Sequence, residues 1–330
     1  MYKHGCKPPV QYRHRDPVFG IDLFLKRVRA TKAGKWLDVD THLFNNHGKT
    51  VLTNAFGKRQ YVTMDSLNIQ TILATEVDKF GSAPMNHTVT LPLIGEGILN
   101  TDGARWKKSR QLVNPIFARA QVAELSSFEV HVRRLLALVP RDGSTVDLQP
   151  LCKMLFLDST TEFIFGRSAN SLSPETSSLV ARRLPEVFDD ALRGMRKRFV
   201  LGKFRILARG EKDWLRKCTE VHAIIDSYIE EELEDREDIP DKIPYKYVLL
   251  KQLAEMTDDR RFIRNELMNI FFPARDSAAV LTGNVIFLLA RHPQEWARTR
   301  VEVLSIGEEI LTFEKLKAMK YLQYVINESE

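Results

Sequence analysis

Six consecutive residues, Pro273-Ala274-Arg275-Asp276-Ser277-Ala278, put a guanidinium, a carboxylate and a hydroxyl into the middle of an oily segment. That segment runs from Phe262 to Pro293. Its apolar side chains recur at Ile263, Leu267, Ile270, Ala274, Ala278, Leu281, Val285 and Leu288. Alternating three- and four-residue spacing predicts one apolar face of a long helix. Proline inside such a helix removes a backbone donor and clashes one turn back, at a cost of about 3 kcal/mol. A buried carboxylate is costly unless it is paired or used. Two readings therefore stand. Either Asp276 bonds Arg275 or backbone in a kinked core helix, or the break marks a place where function overrides local rules. A second pair, Trp106 and Arg110, lies four residues apart in DGARWKKSRQLVNPIF, on one face of a helix that Pro115 closes. Alone, that pair reads as a surface cation–π contact.

The elements that position these residues are helical for the most part. Residues 49–64 alternate around Phe56-Gly57-Lys58 and predict a β-hairpin. Asp65 or Ser66 then caps a helix carrying Ile69, Ile72, Leu73 and Phe80. Residues 81–100 are rich in Gly, Pro, Asn and Thr and read as a loop, with Leu91, Leu93 and Ile98 as pocket-lining or local packing residues. The apolar run LFLDSTTEFIFG closes at Phe165-Gly166. His292-Pro293 ends the long helix, and KYLQYVINESE follows a charged segment, with Glu328 near the last residue.

The chain has 330 residues, 44% hydrophobic and 28% charged, the balance of a globular protein. No Gly/Ser/Pro linker divides it, so 1–330 reads as a single domain, mainly α with a small β-sheet. The acidic run EEELEDREDIPDKIP reads as a solvated helix end and loop. The net charge is +6. Part of the excess lies in 193–209, where Arg and Lys interleave with Phe, Val, Leu and Ile. A solvated helix face, a membrane-surface segment and a nucleic-acid patch all fit that pattern. No nucleic-acid-binding signature accompanies it, so nucleic acid is not an expected partner. The longest apolar runs, such as VIFLLA, fall far short of the roughly 20 residues of a membrane span. The three cysteines, Cys6, Cys152 and Cys218, show no zinc spacing and no disulfide framework.

Taken together, these motifs resemble the cytochrome P-450 family of haem-thiolate monooxygenases. Trp106 and Arg110 match its Trp-x-x-x-Arg helix. Residues Pro273 to Ala278 match the motif of its long oxygen-side helix, and Glu328 matches the first residue of its Glu-x-x-Arg. The runs GEGILNTDGARWKKSRQLVNPIF and FGRSANSL are similar to those of fungal alkane and fatty-acid hydroxylases. The resemblance implies haem iron as cofactor, Arg110 pairing with a propionate, Trp106 packing there, and Ala274 close to the haem. It also implies Asp276 and Ser277 as catalytic proton carriers and Glu328 as structural. It implies a hydrophobic small-molecule substrate, electrons from NADPH through a cytochrome reductase, and the endoplasmic reticulum membrane, touched peripherally through 193–209.

Two departures qualify that implication. Ala274 and Ser277 stand where the family has Gly and Thr, and Ser277 lacks the β-branch that fixes a rotamer. None of the three cysteines lies in a glycine-rich ligand loop, so the iron-ligating cysteine is expected to be absent. The expectation is thus an incomplete domain, without its amino-terminal anchor and its carboxy-terminal haem-ligand segment, that is inactive alone. The alternative is a helical remnant or gene-model fragment with no haem chemistry.

Overall fold

The computed structural model describes residues 8–117, 125–173, 175, 179–201, 210–234, 249–307 and 310–330. The chain divides into two compact units, Met1–Gly81 and Ser82–Glu330.

In the first unit, β1 (Val10–Gln11) precedes α1 (Ile21–Lys32), α2 (Trp36–His47), β2 (Thr50–Ala55), β3 (Lys58–Thr63) and α3 (Ser66–Gln70). The sheet order is β1-β2-β3, with β1 parallel and β3 antiparallel to β2. The predicted hairpin turns on Phe56 and Gly57, both at positive φ (50° and 74°). Two left-handed residues match the twist of paired strands, which is why the turn is this tight. Val51 of β2 packs beneath α1 and α2 with Leu23, Val39 and Leu43 buried. His14 ties the layers together. Its Nδ1 meets Asp22 Oδ1 at 2.8 Å, and its Nε2 accepts from the Asn54 backbone N–H at 2.9 Å. Asp65 caps α3, accepting from Leu67 and Asn68 N–H. The helix expected to reach Phe80 ends at Gln70. A π turn (Thr71–Thr75) and a 3₁₀ turn (Val77–Lys79) follow, leaving Ile69, Leu73 and Phe80 exposed. With no packed partner face within this unit, the apolar spacing there does not sustain a regular helix.

Among the described residues of the second unit the regular elements are all helices. In order come α4 (Ala83–Ile94), α5 (Gly103–Val113), α6 (Ser126–Leu138), α7 (Leu148–Phe165), α8 (Leu179–Leu201), α9 (Glu211–Glu234), α10 (Leu249–Met256), α11 (Arg260–Arg291), α12 (Pro293–Leu304), α13 (Phe313–Ala318) and α14 (Lys320–Ser329). The mainly helical architecture with one small sheet agrees with expectation. The loop predicted over 81–100 does not. Residues 83–94 are helical because Pro84 sits in the first turn, where no donor is missed, and Pro92 lies in the last. Leu93 belongs to the closed core, while Leu91 and Ile98 are half-buried.

The core of this unit is built on α7 and α11, which pack along each other. Phe271, fully buried, meets Phe188 of α8 edge-on at 5.0 Å and Phe165 of α7 at 6.3 Å. Phe165 stacks on Tyr228 of α9 at 4.7 Å. Gly166 ends α7 in the left-handed conformation (φ 74°), as a C-terminal glycine does. Asp259 caps α11 by accepting from Phe262 N–H at 3.0 Å. Helix α11 then continues without interruption through Pro273.

The apolar face predicted for α11 holds through Ile263, Leu267 and Ile270, all buried. Beyond them the buried line runs through Phe271, Arg275 and Ala279 instead, and Ala274, Ala278, Leu281, Val285 and Leu288 are half-buried. The ion pair made by Arg275 explains the change of face.

Candidate functional site

Helix α5 carries the first pair. Trp106 is half-buried and Arg110 exposed, with the guanidinium carbon 5.5 Å from the indole centroid. Among the described residues no carboxylate pairs with Arg110, so its donors are available to an anion. The same helix carries Arg105 and Lys108, which lie over the Phe262 ring at 6.0 and 4.8 Å. Ser109, on the inner side, is buried and donates to Glu266 Oε1 of α11 at 2.7 Å. Helix α5 is thus fixed to α11 through a polar contact, with its cations on the outer face.

The loop between α4 and α5 is docked by asparagines. Asn269 Nδ2 donates to the Ile94 carbonyl at 3.0 Å, and its Oδ1 accepts from Leu99 N–H at 3.1 Å. Glycine is required here by space. A Cβ on Gly97 would lie 2.5 Å from the Asn269 side chain, and one on Gly95 2.0 Å from Asn265. Gly95 also sits at φ 66°. Asn100 closes the loop, accepting from Gly97 N–H and donating to Gly95 O and Thr90 Oγ1. Asp102, at the start of α5, leaves its own helix uncapped. It accepts instead from Ser82 and Ala83 N–H, capping α4.

The second cluster lies midway along α11. Arg275 is buried, donates from Nη1 to Asp189 Oδ1 of α8 at 2.7 Å, and lies 5.7 Å from the centroid of Phe188. Its Nε is 3.8 Å from Asp276 Oδ1, within ion-pair but beyond hydrogen-bond reach, and both of those atoms are buried without a hydrogen-bond partner among the described residues. The sequence left open whether Asp276 bonds Arg275. The two are near neighbours, but the guanidinium hydrogen bond goes to Asp189. Ser277 is exposed, and its Oγ donates back to the Pro273 carbonyl at 2.7 Å. Pro273 withholds the donor that the Asn269 carbonyl would receive in a regular helix, so backbone hydrogen bonding is loosened over this turn. Ala274 offers only a methyl group, half-buried, beside these polar atoms.

Glu328 is exposed near the end of α14. That helix is set by α12, whose Glu302 accepts from Tyr321 and Leu322 N–H at 3.0 and 2.8 Å. Cys152 and Cys218 are buried in the helical core, and burial pushes both thiols up, Cys218 to about 12. Neither is presented from a loop, in agreement with their sequence context. Cys6, residues 202–209 of the basic run and residues 235–244 of the acidic run lie outside the described residues. Of the basic run, Arg198 is not a surface charge. It is buried, bonds Glu211 at 2.5 Å, and lies 3.8 Å from the centroid of Trp214. No described helix is long and apolar enough to cross a membrane.

Sequence reasoning missed Glu266, Asn265, Asn269 and Asp189. A signal existed for three of them. Asn265, Glu266 and Asn269 interrupt the oily first half of α11, where each polar group needs a partner.

These elements find counterparts in known proteins. A model of the cytochrome P450 family matches residues 11–329. Cytochrome P450 monooxygenase iccC of Talaromyces variabilis is 35% identical, over 99% of this chain and 66% of that protein. Cytochrome P450 monooxygenase himC of Aspergillus japonicus is 34% identical, over 98% of this chain and 59% of that protein. The chain therefore spans about 59 to 66% of the length of these curated relatives. Among solved structures, the haem domain of cytochrome P450DA superposes with a TM-score of 0.77 over 98% of this chain and 69% of that one. At 14% identity that likeness concerns the fold. With the family match running through both units and fungal relatives aligned over nearly every residue, the chain belongs to the cytochrome P450 family.

Proposed function

We propose that the protein acts as a haem-dependent monooxygenase on a hydrophobic small molecule. Arg110, with which no described carboxylate pairs, would hold a haem propionate, and Trp106 would pack beside it. The observation that carries this reading is the exposed Arg110 guanidinium, stacked on Trp106 and unpaired by any described carboxylate. A guanidinium of this kind suits a carboxylate in charge and geometry. Bound haem would supply the iron chemistry that activates dioxygen. The chain's own residues would manage protons and access. Asp276 Oδ1, buried and without a hydrogen-bond partner among the described residues, would hold a proton or a water, with the Ser277 hydroxyl at the next position. Ala274 leaves little side chain between α11 and a planar group.

Both compact units form one domain in this proposal, supported by the single match over 11–329. Electrons arrive from NADPH through a reductase. The substrate is an alkyl chain of an alkane or fatty acid; this rests on the runs 95–117 and 165–172 alone. Peripheral contact with the endoplasmic reticulum membrane through 193–209 is supported by exposed Arg196 and Phe199.

A second reading, that the centre of α11 is purely structural, is favoured by one observation. Ser277 spends its donor on the Pro273 carbonyl.

Haem titration followed at the Soret band separates the parts. Arg110→Ala is expected to weaken haem binding about 10- to 100-fold, the loss of a charge-assisted hydrogen bond. Identical titrations for wild type and variant would remove the propionate role. In a version extended to the full length of its curated relatives, with haem and a reductase supplied, Asp276→Asn is expected to slow turnover and Ser277→Ala to divert NADPH into peroxide. Unchanged coupling in both variants would leave the structural reading of α11.

A further inference from the structure

A carboxyl with no exposed surface joins the two helices that frame the proposed haem site. Glu266 of α11 accepts from Ser109 Oγ of α5 through Oε1, while its Oε2 is buried and has no hydrogen-bond partner among the described residues. The charged groups whose fields reach it are Arg105 and Lys108, on the outer face of α5, and Arg105 pairs with Glu96. Both are turned to the Phe262 ring, and neither forms an ion pair with Glu266. An ionised carboxylate in such a place loses several kcal/mol of hydration. One hydrogen bond from a hydroxyl returns about 1.5–3 kcal/mol. The neutral form avoids most of the loss. Burial accordingly pushes the Glu266 carboxyl up, against the smaller opposing pulls of Ser109, Arg105 and Lys108.

We propose that Glu266 is a positioning residue whose buried carboxyl fastens α5 to α11 through Ser109, and so sets where Trp106 and Arg110 stand. The functional consequence rests on the reading of that pair as the propionate holders. The fastening itself does not. A carboxyl raised in the folded state keeps a proton that the unfolded chain releases above its ordinary value of 4.5. Its support for the fold is therefore complete at low pH and declines as pH rises toward its folded value.

Hydrogen exchange of the 330-residue chain, read by mass spectrometry over a pH series and corrected for intrinsic rates, tests this without haem. In the wild type, residues 103–113 are expected to lose protection with rising pH relative to residues 148–165. Glu266→Gln keeps the acceptor and the neutral charge, so α5 stays protected and the pH dependence disappears. Ser109→Ala, which removes one hydroxyl, loosens α5 at every pH. A Glu266→Gln variant that follows the wild-type pH profile overturns the proposal. So does a Ser109→Ala variant that loosens α7 as much as α5, or neither. Failure of the propionate reading would show separately, as haem binding indifferent to Arg110→Ala with the exchange result intact.

Discussion

Arg275 of α11 donates to Asp189 of α8 at 2.7 Å from a position with almost no exposed surface. The charge sits at the turn loosened by Pro273, so the ion pair holds two helices together where backbone hydrogen bonding is weakest. The pair is asymmetric, because Asp189 is about a third exposed, with Lys153 4.0 Å away.

Removing the exposed partner therefore leaves the buried one stranded. Asp189→Ala is expected to cost about 3 kcal/mol, the penalty of a buried unpaired charge. Arg275→Met fills similar space without charge and is expected to cost less. Urea melts of the two variants decide it, and the reverse order would show that the guanidinium is solvated in place.

Phe271→Ala empties the meeting point of α7, α8 and α11. The expected loss is about 3–5 kcal/mol, the range for a large buried aromatic. Chemical denaturation should show a lower midpoint; a cost under about 1 kcal/mol would mean that the three helices close over the cavity.

Gly97→Ala drives a methyl group into Asn269. A cost of about 1–3 kcal/mol is expected from overpacking. Because the clash is with a side chain, the cost should nearly vanish in an Asn269→Ala background. Gly95→Ala behaves differently. Its positive φ remains strained whichever side chain faces it, so the cost should persist in an Asn265→Ala background. A double-mutant cycle for each pair distinguishes steric from conformational causes.

In the first unit, acid should act through Asp22. Burial works to raise this carboxyl, but hydrogen bonds from His14 and the Arg15 and Leu23 backbone outweigh it and hold it below its ordinary 3.8. A depressed carboxyl contributes stability above the unfolded value and loses it as pH falls through the folded one. The Asn54 N–H occupies His14 Nε2, so the ring proton lies on Nδ1, toward Asp22. Asp22→Asn is expected to flatten the acid limb of exchange protection over residues 10–55. An unchanged limb would place the acid sensitivity elsewhere.

Cys218 should resist alkylation at pH 8 in the folded chain, since its thiol is pushed up to about 12 and buried. Mass mapping after brief iodoacetamide treatment checks this. Labelling of Cys218 without denaturant would show that α9 opens readily.

Much of this was legible in the residues because the relevant rules are local. Phe56-Gly57 declared a hairpin, Asp65 a cap, and Trp106 with Arg110 one helix face. The helix over 83–94 was hidden because Pro84 and Pro92 look like breakers, yet occupy the two ends where a helix tolerates them. The failed helix beyond Gln70 was the opposite case, apolar spacing with no packed face to reward it. At the centre of α11, the polar run Arg275-Asp276-Ser277 inside an oily helix was visible. The partnership of Arg275 with Asp189 was not, because two residues far apart in sequence leave no mark in either segment. Glu266 was overlooked for a similar reason, since its meaning depends on Ser109 across the helix pair.

Asp102 gives the stretch between α4 and α5 an unusual independence. By holding the N–H groups at 82 and 83, it brings the start of α4 to the start of α5 and pins both ends of the intervening stretch to one carboxylate. The interior of that interval is held by other means, through Asn269 on the Ile94 carbonyl and the Leu99 N–H and through the space left by Gly95 and Gly97. A change at Asp102 therefore acts on where α5, and with it Trp106, begins, whereas a change within the loop acts on its docking against α11.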